Sequence, residues 1–139
     1  MGKIGRYVYL VAAWLFVAGV VTQVFLAGMT VVARQMGWDS HIGLGHTLAG
    51  PLLFMLIFMY LGRMPGQVKR LTWLLFGAYV LQADVVIFLR TQAPLVSALH
   101  PVLALVDFAL GWALARQALP LAREVRTPAR VQADMGASM

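Results

Sequence analysis

Cysteine is absent from the 139 residues, which removes disulfides, thiolate metal sites and thiol nucleophiles together. Charge is scarce: 12% of residues are Asp, Glu, Lys or Arg, against 61% hydrophobic. That balance is too apolar for an ordinary soluble protein, and the length allows one domain at most. No glycine-rich phosphate loop, serine–histidine–acid constellation or His-Glu-x-x-His pattern occurs. The usual hydrolytic routes therefore have no residues to carry them.

Long apolar runs fill the space that charge leaves. A helix needs about 20 apolar residues to cross roughly 30 Å of hydrocarbon. Tyr7–Met29, Ile42–Leu61, Leu71–Leu89 and Val102–Leu119 meet that requirement. The first follows Lys3 and Arg6 as a secretory signal would, but its apolar run exceeds a signal core and predicts a retained helix. The expected fold is all-α: an up-down four-helix membrane bundle over residues 1–119, with residues 120–139 as a disordered cytoplasmic tail. Lipid is thus the first partner.

Positive charge is unevenly placed. Lys3, Arg6, Arg63, Lys69, Arg70, Arg116, Arg123, Arg126 and Arg130 fall at the N-terminus, the middle connection and the tail. Arg34 and Arg90 alone fall on the opposite side, which predicts both termini in the cytoplasm. Orientation accounts for the basicity, so no nucleic-acid partner is expected. Each half would then start and end inside, making two parallel helix-hairpin repeats.

One spacing recurs across those halves. Gln23 precedes His41 by 18 residues, and Gln82 precedes His100 by 18. Ser40 suits the cap of the second helix, and Pro101 the first turn of the fourth. Both histidines then begin helices on one membrane side, where the positive end of the helix dipole keeps imidazole neutral. Neutral imidazoles from two bundle helices are suited to haem iron. The expectation is haem b held by His41 and His100, with Arg34 and Arg90 placed to pair with propionates. The plainer alternative is two interfacial histidines bonded to water or backbone.

His46 lies five residues beyond His41, about 140° around the helix and roughly 7.5 Å deeper. It cannot share an iron with His41, but replaces it as ligand if the helix starts later. His46, Asp84 and Asp107, with Gln23 and Gln82, form an expected deeper polar layer. Its uses would be hydrogen bonding to haem, proton transfer or a small metal site; the alternative is a structural network across helices. Gly45 and Ala49 allow close helix approach. Trp38 suits an interfacial anchor. Met29, Met36, Met55, Met59 and Met64 read as packing, with reach to a metal as the alternative for Met29 or Met36.

His41-Ile-Gly-Leu-Gly45, Leu99-His100-Pro-Val-Leu-Ala104 and Gln23-Val-Phe-Leu-Ala-Gly28 are similar to segments of heme A synthase. That family has two four-helix halves, each able to hold haem with histidines of its second and fourth helices. From about Tyr7 to Gln117 the chain resembles one half, and it also looks like small bacterial four-helix membrane proteins of unassigned function. The resemblance implies axial haem ligation by His41 and His100 in a bacterial inner membrane. Ile42 replaces that family's arginine, and the glutamate it uses catalytically is missing before His41. Haem binding is thus implied more than the synthase reaction.

Three functions follow from these readings. The first is a cytochrome b-like electron carrier working with quinone or a redox partner protein. The second is an accessory subunit of a respiratory or photosynthetic membrane complex. The third is a proton- or metal-coupled transporter, dimeric because four helices are few.

Overall fold

The computed structural model describes residues 2–123, and all the regular structure among them is helical, without strands. Eight elements occur in order: α1 Gly2–Val31, α2 Asp39–Thr47, α3 Ala49–Leu61, α4 Gly66–Val80, a π-helical turn Leu81–Val85, α5 Val86–Phe88, α6 Pro94–Ser97 and α7 His100–Arg123. They group into four segments long and apolar enough to cross a membrane: Gly2–Val31, Asp39–Leu61, Gly66–Phe88 and Pro94–Arg123. The protein is a multi-pass membrane protein.

Local chemistry sets the breaks. Pro51 has no N–H to donate backward, and the second segment loses its helical regularity at Leu48, three residues earlier. Pro94 occupies the first turn of α6, where its missing N–H costs nothing. At the end of α3 the Met64 N–H reaches Met59 O at 2.9 Å and the Arg63 N–H reaches Tyr60 O at 3.0 Å. This paired closure puts Arg63 in left-handed backbone at φ 52°. A side chain there is strained by about 1–2 kcal/mol. Arg63→Gly is therefore expected to raise stability by roughly 1 kcal/mol, read as a higher thermal midpoint in detergent; a lower midpoint contradicts it.

Three boundaries differ from expectation. Ser40 does not cap the second segment: α2 begins at Asp39 after Trp38, and no side chain caps it. Asp39 instead places a carboxylate in the first turn, where the dipole favours it. The fourth segment continues through Pro120 to Arg123, since burial of Ala118 and Ala122 outweighs one lost backbone bond. The expected tail from residue 124 onward lies outside the described residues. Finally, the fourth apolar segment begins earlier than the Val102 expected, because α6 at Pro94–Ser97 precedes α7.

α1 packs against α3 and α7, and α4 packs against α3 and α7. Tyr9, Phe16, Leu52, Met55, Met59, Leu75 and Leu114 are buried among them. Small residues let the backbones meet: a Cβ on Gly5 would stand 2.7 Å from Gly62 N. The Arg6 guanidinium ties the same end together, donating to Gly62 O at 3.1 Å and Leu121 O at 3.0 Å. Thr72 donates to Val68 O, so Tyr9 O–H donates to Thr72 Oγ1 at 2.6 Å. Every hydroxyl in this layer is satisfied inside the bundle, as an apolar surround demands.

The packed core does not run the full height. Buried positions stop at Val20 on α1, Leu48 before α3, Tyr79 on α4 and Asp107 on α7. Beyond that level, Val86 is the one buried side chain among the described residues. The looser half is the one that carries both His41 and His100.

Candidate functional site

His41 stands in the first turn of α2, and His100 opens α7. Each ring is half-buried and turned toward the segment that precedes it. His41 Nδ1–H donates to the main-chain carbonyl of Gln23 at 3.1 Å. His100 Nδ1–H donates to the main-chain carbonyl of Gln82 at 3.2 Å. A carbonyl only accepts, so each ring carries a proton at Nδ1, and in the neutral tautomer that this bond selects the lone pair is on Nε2. A helical carbonyl has a second lone pair for this purpose, so the helix need not break. The two halves use the same bond at the same 18-residue separation.

The two imidazoles meet. Their centroids are 6.2 Å apart with planes at 63°. Trp38 closes one side, its ring edge-on to His41 at 5.4 Å, so its position is beside the ligand candidate as well as near the segment end. Tyr79 braces the site from below, its O–H donating to Gly45 O at 2.7 Å and linking α4 to α2. Sequence reasoning missed that contact. The usable signal was a tyrosine inside an apolar run, since a buried phenol must find a partner.

The glutamines act differently from expectation. Their carbonyls orient the histidines, a role any residue's backbone can fill. The Gln23 side chain lies inside the bundle, its Nε2 2.8 Å from where a Cβ on Gly45 would sit, and its Oε1 is buried without a partner. Gln82 is half-buried. Arg34 and Arg90 are exposed, in the connection after α1 and the turn after α5, at the end of the bundle that holds the histidines.

The deeper layer does not assemble. His46 is exposed on the outer surface of α2, its Nδ1–H donating to Ile42 O at 2.9 Å one turn back. Asp84 is exposed in the π-helical turn, whereas Asp107 is 1% exposed with Oδ1 unpartnered. Among the described residues no three His, Asp or Glu side chains group to hold a metal ion. The expected metal site of His46, Asp84 and Asp107 is therefore corrected. The reason is rotational: five residues carry His46 off the inner face, and the wide π turn leaves Asp84 outside.

Residues 23–87 match the model of a family of unknown function, DUF6220. The matched stretch contains Gln23, His41, Gln82 and Asp84, and ends before His100. No curated protein and no solved structure matches the chain.

Proposed function

We propose that this chain is a cytochrome b-like electron-transfer protein in which His41 and His100 hold haem b iron from opposite faces. One observation carries the reading: two imidazoles, each locked with Nδ1 protonated by a backbone carbonyl, stand 6.2 Å apart. Metal-bound histidine commonly donates its other ring N–H in this way. Metal–imidazole bonds of about 2 Å on each side, with about 1 Å from nitrogen to ring centre, separate ring centres by roughly 6 Å. Each ring plane contains its own metal–nitrogen bond, so the 63° between planes is free to vary.

Bound haem would supply a one-electron couple, and two protein ligands favour electron transfer over oxygen chemistry. Arg34 and Arg90 are the cations near enough in the chain order to meet propionates. Trp38 shields His41 from solvent. The nine-to-two split of Lys and Arg supports both termini on the cytoplasmic side of a bacterial inner membrane. The contacts of α1, α3, α4 and α7 with their sequence neighbours, and of α7 with α1, support an up-down bundle of two parallel hairpins. The resemblance to one half of heme A synthase points the same way.

The absorption spectrum of detergent-purified protein, made with haem supplied, tests the proposal. A Soret band and a b-type pyridine haemochrome are expected; their absence ends it.

A second reading has one specific observation behind it. Asp84 is exposed within a candidate span, where an ionisable group facing lipid is costly. An accessory subunit whose partner covers Asp84 removes that cost. A photocrosslinker at position 84 is then expected to capture one subunit of a membrane complex. Labelling of lipid alone contradicts it.

A further inference from the structure

The end of the bundle away from the histidines carries a group of side chains that neither the core nor the proposed haem uses. Tyr60 is in the last turn of α3, Arg63 follows that helix, and Lys69, Arg70 and Trp73 stand in the first two turns of α4. Trp73 Nε1–H donates to the Tyr60 hydroxyl oxygen at 3.2 Å, and Lys69 Nζ stands over the Tyr60 ring, 5.1 Å from its centre. The Arg63 N–H closes on Tyr60 O at 3.0 Å, which brings that residue to the same corner. Both aromatic rings are half exposed.

The hydrogen-bonding capacity left over here is donor capacity. Tyr60 accepts from Trp73, and its own proton finds no acceptor among the described residues. A cation–π contact holds the Lys69 ammonium in place while leaving N–H groups to donate. Arg63 and Arg70 are exposed. The carboxylates among the described residues, Asp39, Asp84 and Asp107, all belong to the histidine half, so none neutralises these cations. Arg63 adds an independent sign. Its φ of 52° suits glycine better, and strain kept under an exposed cation points to a use for that side chain.

The neighbours decide which kind of anion fits. Trp73 meets Phe76 edge-on at 5.8 Å, and Gly77, one turn beyond Trp73, has open space where a side chain would be. α3 and α4 both belong to segments long and apolar enough to cross a membrane, so this lane leads from a cationic mouth into hydrocarbon. We propose that the patch binds an anionic phospholipid, its phosphate held by Lys69, Arg63 and the Tyr60 hydroxyl, with an acyl chain along Trp73 toward Gly77. A zwitterionic lipid brings its own cation beside the phosphate, which Arg63, Lys69 and Arg70 repel. The site uses neither histidine, so it stands or falls separately from haem binding.

Native mass spectrometry of the detergent-solubilised full chain tests this, with phosphatidylglycerol and phosphatidylcholine of matched acyl chains added in equal amounts. Phosphatidylglycerol is expected to be retained about fivefold over phosphatidylcholine. Lys69→Gln and Arg63→Gly each remove most of that preference, and Lys69→Arg keeps it. Arg63→Gly raises the thermal midpoint at the same time, which separates its loss of lipid from unfolding. Lys3→Gln, on α1 at the same end of the bundle, leaves the preference unchanged. Equal retention of the two lipids overturns the proposal. An equal fall in Lys3→Gln also overturns it, because the whole charged end would then act rather than this corner. Displacement of the lipid by an equal concentration of inorganic phosphate marks a soluble-anion site and overturns it too.

Discussion

Alanine at His100 is expected to abolish the low-spin haem spectrum of the proposed cytochrome, and alanine at His41 to do the same. In the proposed cytochrome each side chain would supply one of two iron ligands, and neither has a reserve: the nearest other histidine, His46, is exposed and bonded to its own helix. With one of the two histidines gone, bound haem iron would keep a single protein ligand, giving a high-spin spectrum or loss of haem. His46→Ala is the matched control and retains the full spectrum. Gln23→Ala and Gln82→Ala also retain it, because the orienting acceptors are main-chain carbonyls that alanine keeps. Circular dichroism should show intact helix in all of these, since the packed core ends below both histidines. A His100→Ala protein with wild-type haem content and a low-spin spectrum would remove the proposed iron site. Haem lost equally in the glutamine variants would move the ligand role away from the ring geometry.

What the sequence reveals of this site follows from periodicity. Four apolar runs are readable because lipid tolerates few polar residues, so each connection stands out by its charge or turn formers. The histidine pair is readable because a repeated spacing of 18 places two side chains at equivalent points of two hairpins. His46 can be placed on the other face from its angle around the helix alone. Main-chain contributions are hidden from this kind of reading. The glutamines draw attention as polar side chains in apolar runs, yet their carbonyls do the orienting, and a carbonyl leaves no signature in residue type. The π-helical turn is hidden for a related reason. Leu-Gln-Ala-Asp-Val has no proline or glycine to mark it, and one extra residue in a turn changes which side chains face inward. That is why Asp84, expected beside Asp107, stands outside. The end of α7 shows the reverse error: Pro120 looks like a stop, but the alanine face on either side of it continues to pack.

The second large effect belongs to the opposite end of the bundle, where α1 and α3 approach with no side chains between them. Gly5→Ala would place its Cβ 2.7 Å from Gly62 N, 2.8 Å from Gly62 Cα and 3.0 Å from the Leu61 carbonyl carbon. All three are backbone, so no rotamer change relieves the contact and the helices must separate. Separation weakens the Arg6 bond to Gly62 O and loosens the packing around Tyr9 and Met59. Overpacking of this kind costs about 1–3 kcal/mol. Alanine's better helix propensity returns about 1 kcal/mol of that. A net loss of up to about 2 kcal/mol is expected for Gly5→Ala, with a larger loss for Gly5→Leu. Gly111 supplies the comparison. Its Cβ would meet Phe16 Cδ1 at 3.1 Å and Val17 Cγ2 at 3.2 Å, and these side chains can shift by the few tenths of an ångström required. Gly111→Ala should therefore lose less than Gly5→Ala in thermal unfolding followed by tryptophan fluorescence. Should Gly5→Ala prove more stable than the parent, helix propensity outweighs contact, and the close crossing of α1 and α3 is not part of the folded state. The effect reaches the histidines indirectly. His41 lies on the segment that continues into α3, and its orienting carbonyl lies on α1, so a wedge at Gly5 tilts one against the other and is expected to lower the haem content of the proposed cytochrome without touching either histidine.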